Sequence, residues 1–135
     1  QIIGDNMPGC VLSQGKVKKY FTAADLVTMD GHVVNKIGTF QNAVVADYYR
    51  VPFYAFVGSP DPRKPNRASI EIEERDPAEM KAVRGVPTPI PDIDAYYPAF
   101  DITPPHLVAG VITYRGVHSP YDLRRAFAPQ TDTGD

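Results

Sequence analysis

The sequence predicts an α/β layer fold on a largely parallel sheet. Three observations carry this. Segments of strand character alternate with segments of helical period along the chain. Phe53–Val57 (FYAFV) is a continuous apolar run, the pattern of a strand covered on both faces. Tyr20–Met29, a turn, a helical pattern over 35–50 and then Phe53–Val57 read together as one βαβ unit. With 135 residues the chain can bury one core but not two.

Ile2–Ile3–Gly4–Asp5 reads as the end of a short buried strand, closed by Asn6, Pro8 and Gly9. A short helix is expected within Val11–Lys19. Tyr20–Met29 is mostly apolar or small and reads as a strand whose end carries Asp25. Asp30–Gly31 is a turn signal. From Asn35 the period changes: Ile37, Phe40, Val44, Val45 and Tyr48 fall on one face of a helix. Asn35 is its expected N-cap, and Pro52 stops it.

Gly58–Arg67 is a proline-rich excursion. Ser69–Glu73 alternates and reads as a half-exposed strand. Asp76–Pro77–Ala78–Glu79 is a helix start, with Asp as cap, Pro first and Glu third. Pro87–Pro98 should be extended. Thr103–Pro104–Pro105 should open a helix that runs to about Thr113. Gly116–His118 is a candidate last strand and Tyr121–Phe127 a closing helical turn or two. The domain is expected over 1–128, with 129–135, small, polar and acidic, as a mobile tail. The start at Gln1, directly before an apolar pair, reads as the C-terminal piece of a longer protein.

Composition bounds the function. Apolar residues make up 43% and charged residues 22%, which is ordinary for a globular domain. The net charge of −2 gives no electrostatic footprint for nucleic acid or an anionic membrane. No apolar run approaches a membrane span, so the cytoplasm is the expected compartment. The single cysteine, Cys10, excludes a disulfide framework within the chain and reads as a small buried thiol in a turn. His32, His106 and His118 show no metal-ligand spacing.

Ligands of parallel sheets bind outside the carboxyl ends of the strands, which singles out Asp5 and Asp25. Asp25 stands between Tyr20–Ala24 and Leu26–Val27. A carboxylate in such a run is either a desolvated acid suited to proton donation or a turn and capping residue. Asn35–Lys36–Ile37–Gly38–Thr39 places a lysine and a glycine at an expected helix start. That pattern fits either a phosphate site or an ordinary cap beside a solvated lysine. Neither a P-loop nor a dinucleotide fingerprint is present.

Together these segments resemble one family. Ala24–Asp25, Gly31 and Asn35–Thr39 are similar to its pattern Gly-Ala-Asp-Arg-Ile, five residues including Asn-Gly-Asp, then Asn-Lys-Ile-Gly-Thr, with the same distance from the Asp to the Asn-Lys pair. Ile70–Glu79 (IEIEERDPAE) resembles Ile-Pro-Ile-Glu-Glu-Arg-Asp-Pro-x-Glu. Pro98–Leu107 resembles the block Asn-Pro-Ala-Phe-Asp-Val-Thr-Pro, and Asp5–Asn6–Met7 its Thr-Asp-Asn/Ser-Met turn. The family is the methylthioribose-1-phosphate isomerases, with the related ribose-1,5-bisphosphate and 5-deoxyribose-1-phosphate isomerases. The regulatory subunits of the exchange factor for translation initiation factor two are homologous to it.

The resemblance implies a C-terminal Rossmann-like domain of a protein that usually forms homodimers. It implies aldose-to-ketose isomerisation of a sugar 1-phosphate, in the manner of methionine salvage, without metal or organic cofactor. Asp25 matches the catalytic proton donor, and Asn35 and Lys36 match the substrate-binding pair. The family's catalytic cysteine lies upstream of Gln1, so the chain is expected to pair with an N-terminal part, either as a separate chain or across a cleavage point. The alternative implied by the relatives is a non-catalytic regulatory subunit. Four departures flank the site: Leu26 for Arg, His32 for an acidic residue, Gly58–Pro62 for Pro-Leu-Ser-Thr-Phe-Asp, and Tyr97 for Asn.

Overall fold

The computed structural model describes residues 1–88 and 92–128. In chain order the elements are α1 (Pro8–Ser13), β1 (Tyr20–Ala23), β2 (Leu26–Val27), β3 (Val33–Lys36), α2 (Thr39–Tyr48), β4 (Phe53–Phe56), β5 (Ala82–Val83), β6 (Val86–Pro87), β7 (Phe100–Thr103), β8 (Gly110–Thr113), β9 (Gly116–His118) and α3 (Leu123–Ala126). The main sheet has the order β1-β4-β8-β9, with β1, β4 and β8 parallel and β9 an antiparallel edge. A second, antiparallel sheet has the order β2-β3-β7. The expected α/β fold with a mostly parallel sheet is therefore present, and β1–α2–β4 is its βαβ unit.

Alternation sets which side chains enter the core. On β4, Phe53 and Ala55 are buried on the helix side, and Tyr20 on β1 stacks on Phe53 at a centroid distance of 4.7 Å. They join Val27, Val33, Ala43, Val108, Val111 and Leu123 in one cluster. Leu12, Ala46 and Val51 form a second cluster between α1 and α2. The opposite face of the main sheet carries Phe21, Tyr54 and Phe56, with the Phe21 ring stacked on Tyr54 and tilted against Phe56. Gly110 lets β8 pass close to those rings, since a Cβ there would stand 3.0 Å from the Tyr54 ring.

Several expectations hold. Asp76 caps a short 3-10 helix over Pro77–Lys81, its Oδ1 accepting from the Ala78 N–H at 2.9 Å. Gly116–His118 is the last strand, and a 3-10 turn with α3 closes the described chain.

Others are corrected. Ile2–Asp5 forms no strand: Ile2 is 98% exposed, because the segment pairs with no neighbouring strand and a strand needs a ladder. Cys10 is exposed on α1, not buried in a turn, because α1 buries only Leu12. The helix expected from Asn35 starts at Thr39 after Gly38, because Asn35 and Lys36 are drawn into β3 by pairing with Asp101 and Phe100. Its large apolar stripe does not face the core. Ala43 and Ala46 are buried, whereas Phe40, Val44 and Tyr48 are exposed, since small side chains let the helix approach the sheet closely. Ser69–Glu73 is no strand: a 3-10 turn covers Arg67–Ser69, and only Glu74 makes a bridge, to Pro98.

The helix expected over 103–113 stops after one 3-10 turn at Pro105–Leu107. Its remainder is β8, because Val111–Ile112–Thr113 suits a central strand and gains two neighbours, β4 and β9. Residues 89–91 of the expected extended stretch and the tail 129–135 lie outside the described residues. Among the described residues no helix is long and apolar enough to cross a membrane.

Candidate active site

The site is built where the chain leaves β1 at the carboxyl end of the parallel strands. The Ala24 N–H donates to the Phe56 carbonyl at 2.8 Å, which holds the chain to the sheet for one more residue. The next N–H, of Asp25, turns to the Val34 carbonyl at 3.0 Å and so belongs to the β2–β3 hairpin. In that hairpin Leu26 pairs with Val34 and Val27 with Val33. One step further along the same register, Asp25 stands opposite Asn35. The hairpin thus brings the three sequence-predicted residues, Asp25, Asn35 and Lys36, to one end of the fold.

Asp25 is exposed. The apolar neighbours read from the sequence do not surround it, because β1 ends at Ala23 and Tyr20 and Phe21 are turned to opposite faces of the sheet. It lines a cavity of about 400 Å³ together with Ser59, Asp61 and Arg63 from the loop after β4. Arg63 grips Asp61 with two side-chain bonds of 3.0 and 2.9 Å, and holds that carboxyl below its ordinary value. Asp25 also lines a smaller hollow of about 180 Å³ with Lys64, Glu71 and Phe100.

Asn35 and Lys36 end β3. The Asn35 amide Nδ2 donates to Thr39 Oγ1 at 3.0 Å, and that hydroxyl donates to the Lys36 carbonyl at 2.8 Å. The Lys36 ammonium lies 5.3 Å from the centroid of the Tyr97 ring, within cation–π range. Lys36 lines a third hollow, of about 260 Å³, with Asp5, Gly38, Thr39 and Asn42. Asp25 and Lys36 therefore line different hollows and share none of those described.

The helix start itself is not an open anion site. Asp101, on β7, accepts from the Gly38 N–H at 2.7 Å and from the Phe40 N–H at 3.0 Å. Burial pushes its carboxyl above the ordinary value, and the two backbone bonds oppose that shift. Of the two readings the sequence left open, a phosphate site and an ordinary cap, the first is ruled out on these N–H groups by this resident carboxylate, which already satisfies them. What stays open beside it is the Lys36 ammonium. Asp101 carries no local signal of its role: its partners lie about sixty residues upstream. The hairpin tip is tied by its own cluster, with Thr28 donating to Asp30 and His32 Nδ1 at 2.9 Å from the same carboxylate oxygen. Burial disfavours the ionised Asp30, but the bonds from Thr28 and His32 outweigh it and hold the carboxyl below its ordinary value.

Comparison with known proteins places this geometry. Residues 1–120 match the Initiation factor 2 subunit family. A methylthioribose-1-phosphate isomerase of Desulfitobacterium hafniense is 41% identical over 125 residues, covering 90% of this chain and 36% of its own length. One from Thermus thermophilus is 40% identical over 130 residues, covering 93% of this chain and 39% of its own. Among solved structures, the 5-methylthioribose 1-phosphate isomerase of Pyrococcus horikoshii superposes with a TM-score of 0.83 at 38% identity, over 90% of this chain and 35% of that one. The delta subunit of translation initiation factor eIF-2B from A. fulgidus does so with a TM-score of 0.80 at 34% identity, over 89% and 35%. The chain spans somewhat over a third of the length of the curated relatives it matches. With nearly nine-tenths of its residues matched, the chain belongs to the Initiation factor 2 subunit family.

Proposed function

We propose that this chain is the part of a sugar-phosphate isomerase that holds its acid and its substrate-binding pair. The substrate is a ribose 1-phosphate derivative, 5-methylthioribose 1-phosphate or a close analogue, converted to the matching ketose 1-phosphate. The observation that carries this is the β2–β3 hairpin, which sets Asp25 beside Asn35–Lys36 at the carboxyl end of the sheet.

A phosphate on C1 prevents ring opening to a free aldehyde, so C1–O bond cleavage needs assistance. Asp25 donates its proton to the ring oxygen as that bond breaks. Hydrogen then moves from C2 to C1, and the C2 hydroxyl gives its proton to a base outside this chain as it becomes the ketone. That proton balances the one Asp25 gave, so the net change is isomerisation with the phosphate ester intact. Any group that assists the transfer from C2 is assigned outside this chain. Lys36 supplies a positive charge to a polar or phosphate part of the substrate, and the Asn35 amide hydrogen-bonds it. The exposed Asp25 becomes a desolvated acid when the remaining part of the protein covers it.

That remainder is assigned the outer face of the main sheet, where Phe21 and Phe56 are both 47% exposed. A second copy, forming a homodimer, is assigned the α2 stripe of Phe40, Val44 and Tyr48. No organic or metal cofactor enters, and the cytoplasm is the compartment.

The test is an isomerase assay on the complete gene product with methylthioribose 1-phosphate, 5-deoxyribose 1-phosphate and ribose 1,5-bisphosphate. Turnover of one sugar is expected, with Asp25→Asn lowering kcat by about 10²–10⁴-fold, the usual share of a general acid. Sedimentation of the same sample should give twice the subunit mass. A second reading, a non-catalytic regulatory subunit, is favoured by two observations: Asp25 is exposed, and Leu26 follows it where the isomerase pattern carries arginine. Silence on all three sugars by folded, assembled protein would establish that reading instead.

A further inference from the structure

Asp101 and Thr39 bond the turn that carries Lys36. The segment from Asn35 to Phe40 leaves a strand and enters a helix within a few residues, through Gly38 at φ +102°. Gly38 itself adds no side-chain contact that would hold this turn, and no atom lies within 4 Å of where its Cβ would be. Two side chains hold it, one distant and one from the segment itself. From β7, Asp101 bonds the Gly38 and Phe40 N–H groups, one with each carboxylate oxygen, at 2.7 and 3.0 Å. From inside α2, the buried Thr39 hydroxyl donates to the Lys36 carbonyl and accepts from the Asn35 amide. The Ile37 N–H adds a bond to the Ala99 carbonyl at 3.1 Å. Lys36 thus sits between a clamp on its own carbonyl and a clamp two residues on, and the Asn35 amide is aimed by the same hydroxyl.

We propose that Asp101 and Thr39 are the positioning residues of the Asn35–Lys36 pair: they act by fixing the turn from which that pair reaches substrate. The inference rests on the isomerase reading. Its signature differs from that of an acid. A displaced Lys36 weakens holding of the substrate and its transition state alike, so KM rises while kcat is largely kept.

Asp101→Asn tests it in the complete gene product. One N–H keeps an acceptor, and the other meets an amide NH₂ of the same polarity. The expected result is a KM for the active sugar raised about tenfold with kcat within about threefold. Thr39→Val removes the hydroxyl at nearly constant shape and should act in the same direction, and Thr39→Ser, which restores the hydroxyl, should return KM toward the wild-type value. Asp101→Asn and Thr39→Val with unchanged KM, or with kcat lost at unchanged KM, would overturn the inference. If Asp101→Asn fails to fold, the Thr39 pair decides alone. Absence of turnover by the wild-type protein would overturn the isomerase reading and this inference with it, whereas turnover with KM indifferent to these variants would overturn only the inference.

Discussion

The Lys36 ammonium lies 5.3 Å from the centroid of the Tyr97 ring, so an aromatic face stands where the related isomerase pattern carries asparagine. The ring attracts the cation without forming a directional hydrogen bond, and so holds it near the hollow shared with Asp5 without engaging its donors.

Tyr97→Leu should therefore weaken substrate holding without harming the fold. A cation–π contact at a part-exposed site contributes about 0.5–1 kcal/mol, so KM should rise about two- to fivefold. Tyr97→Phe keeps the ring and should stay near wild type. Steady-state kinetics on the complete gene product measure both. Equal effects of the two changes would show that the hydroxyl, not the ring, is what matters.

Gly31 and Gly116 both have positive φ, at +89° and +108°, yet their substitutions should differ. A Cβ at Gly31 would stand 2.5 Å from the Pro120 carbonyl oxygen, whereas nothing lies within 4 Å of one at Gly116. Gly116→Ala should cost only backbone strain, about 1–2 kcal/mol. Gly31→Ala adds a clash with backbone and should cost clearly more, and it should loosen the hairpin that carries Asp25 and Asn35. Urea denaturation compares the two. Similar losses would show that the Gly31–Pro120 contact does not set the hairpin's position.

The acid side of the stability profile should depend on Asp30. Its folded-state carboxyl is held below its ordinary value, so the unfolded chain binds its proton first as pH falls. The stability it contributes is present above the ordinary aspartate value of about 3.9 and is lost as pH falls through the depressed folded value. Asp101 has the opposite sign. Its folded value is raised, so its contribution is full below the ordinary value and is lost as pH rises to the folded one. Denaturation midpoints of Asp30→Asn across the acid range should show a shallower fall than wild type. An unchanged slope would mean that the Thr28–Asp30–His32 cluster contributes nothing through ionisation.

Local signals succeeded where neighbours in sequence are also neighbours in space. The Asp76 cap bonds an N–H two residues on, and the Phe53–Phe56 strand announces itself by four consecutive apolar residues. The hairpin that joins Asp25 to Asn35–Lys36 was not legible, because Tyr20–Met29 read as one strand and Asn35 as a helix cap. Signals failed where a distant partner decided. Asn35 looked like a helix cap but became a strand residue because Asp101 pairs with it. The stretch after Pro105 looked helical but became β8 because β4 and β9 accept it on both sides.

The sequence by itself determined the α/β class and the βαβ unit, which are written in period and short-range spacing. Its resemblance to the isomerase family supplied the three residues proposed to meet substrate. Only the tertiary structure decided that Asp25 is exposed, that the apolar stripe of α2 faces outward, and that Asp101 occupies the helix start, where the sequence left a phosphate site and an ordinary cap both open. Those outcomes depend on what packs or bonds across long separations. No local pattern encodes them, because burial and hydrogen-bond satisfaction are settled only when distant segments meet.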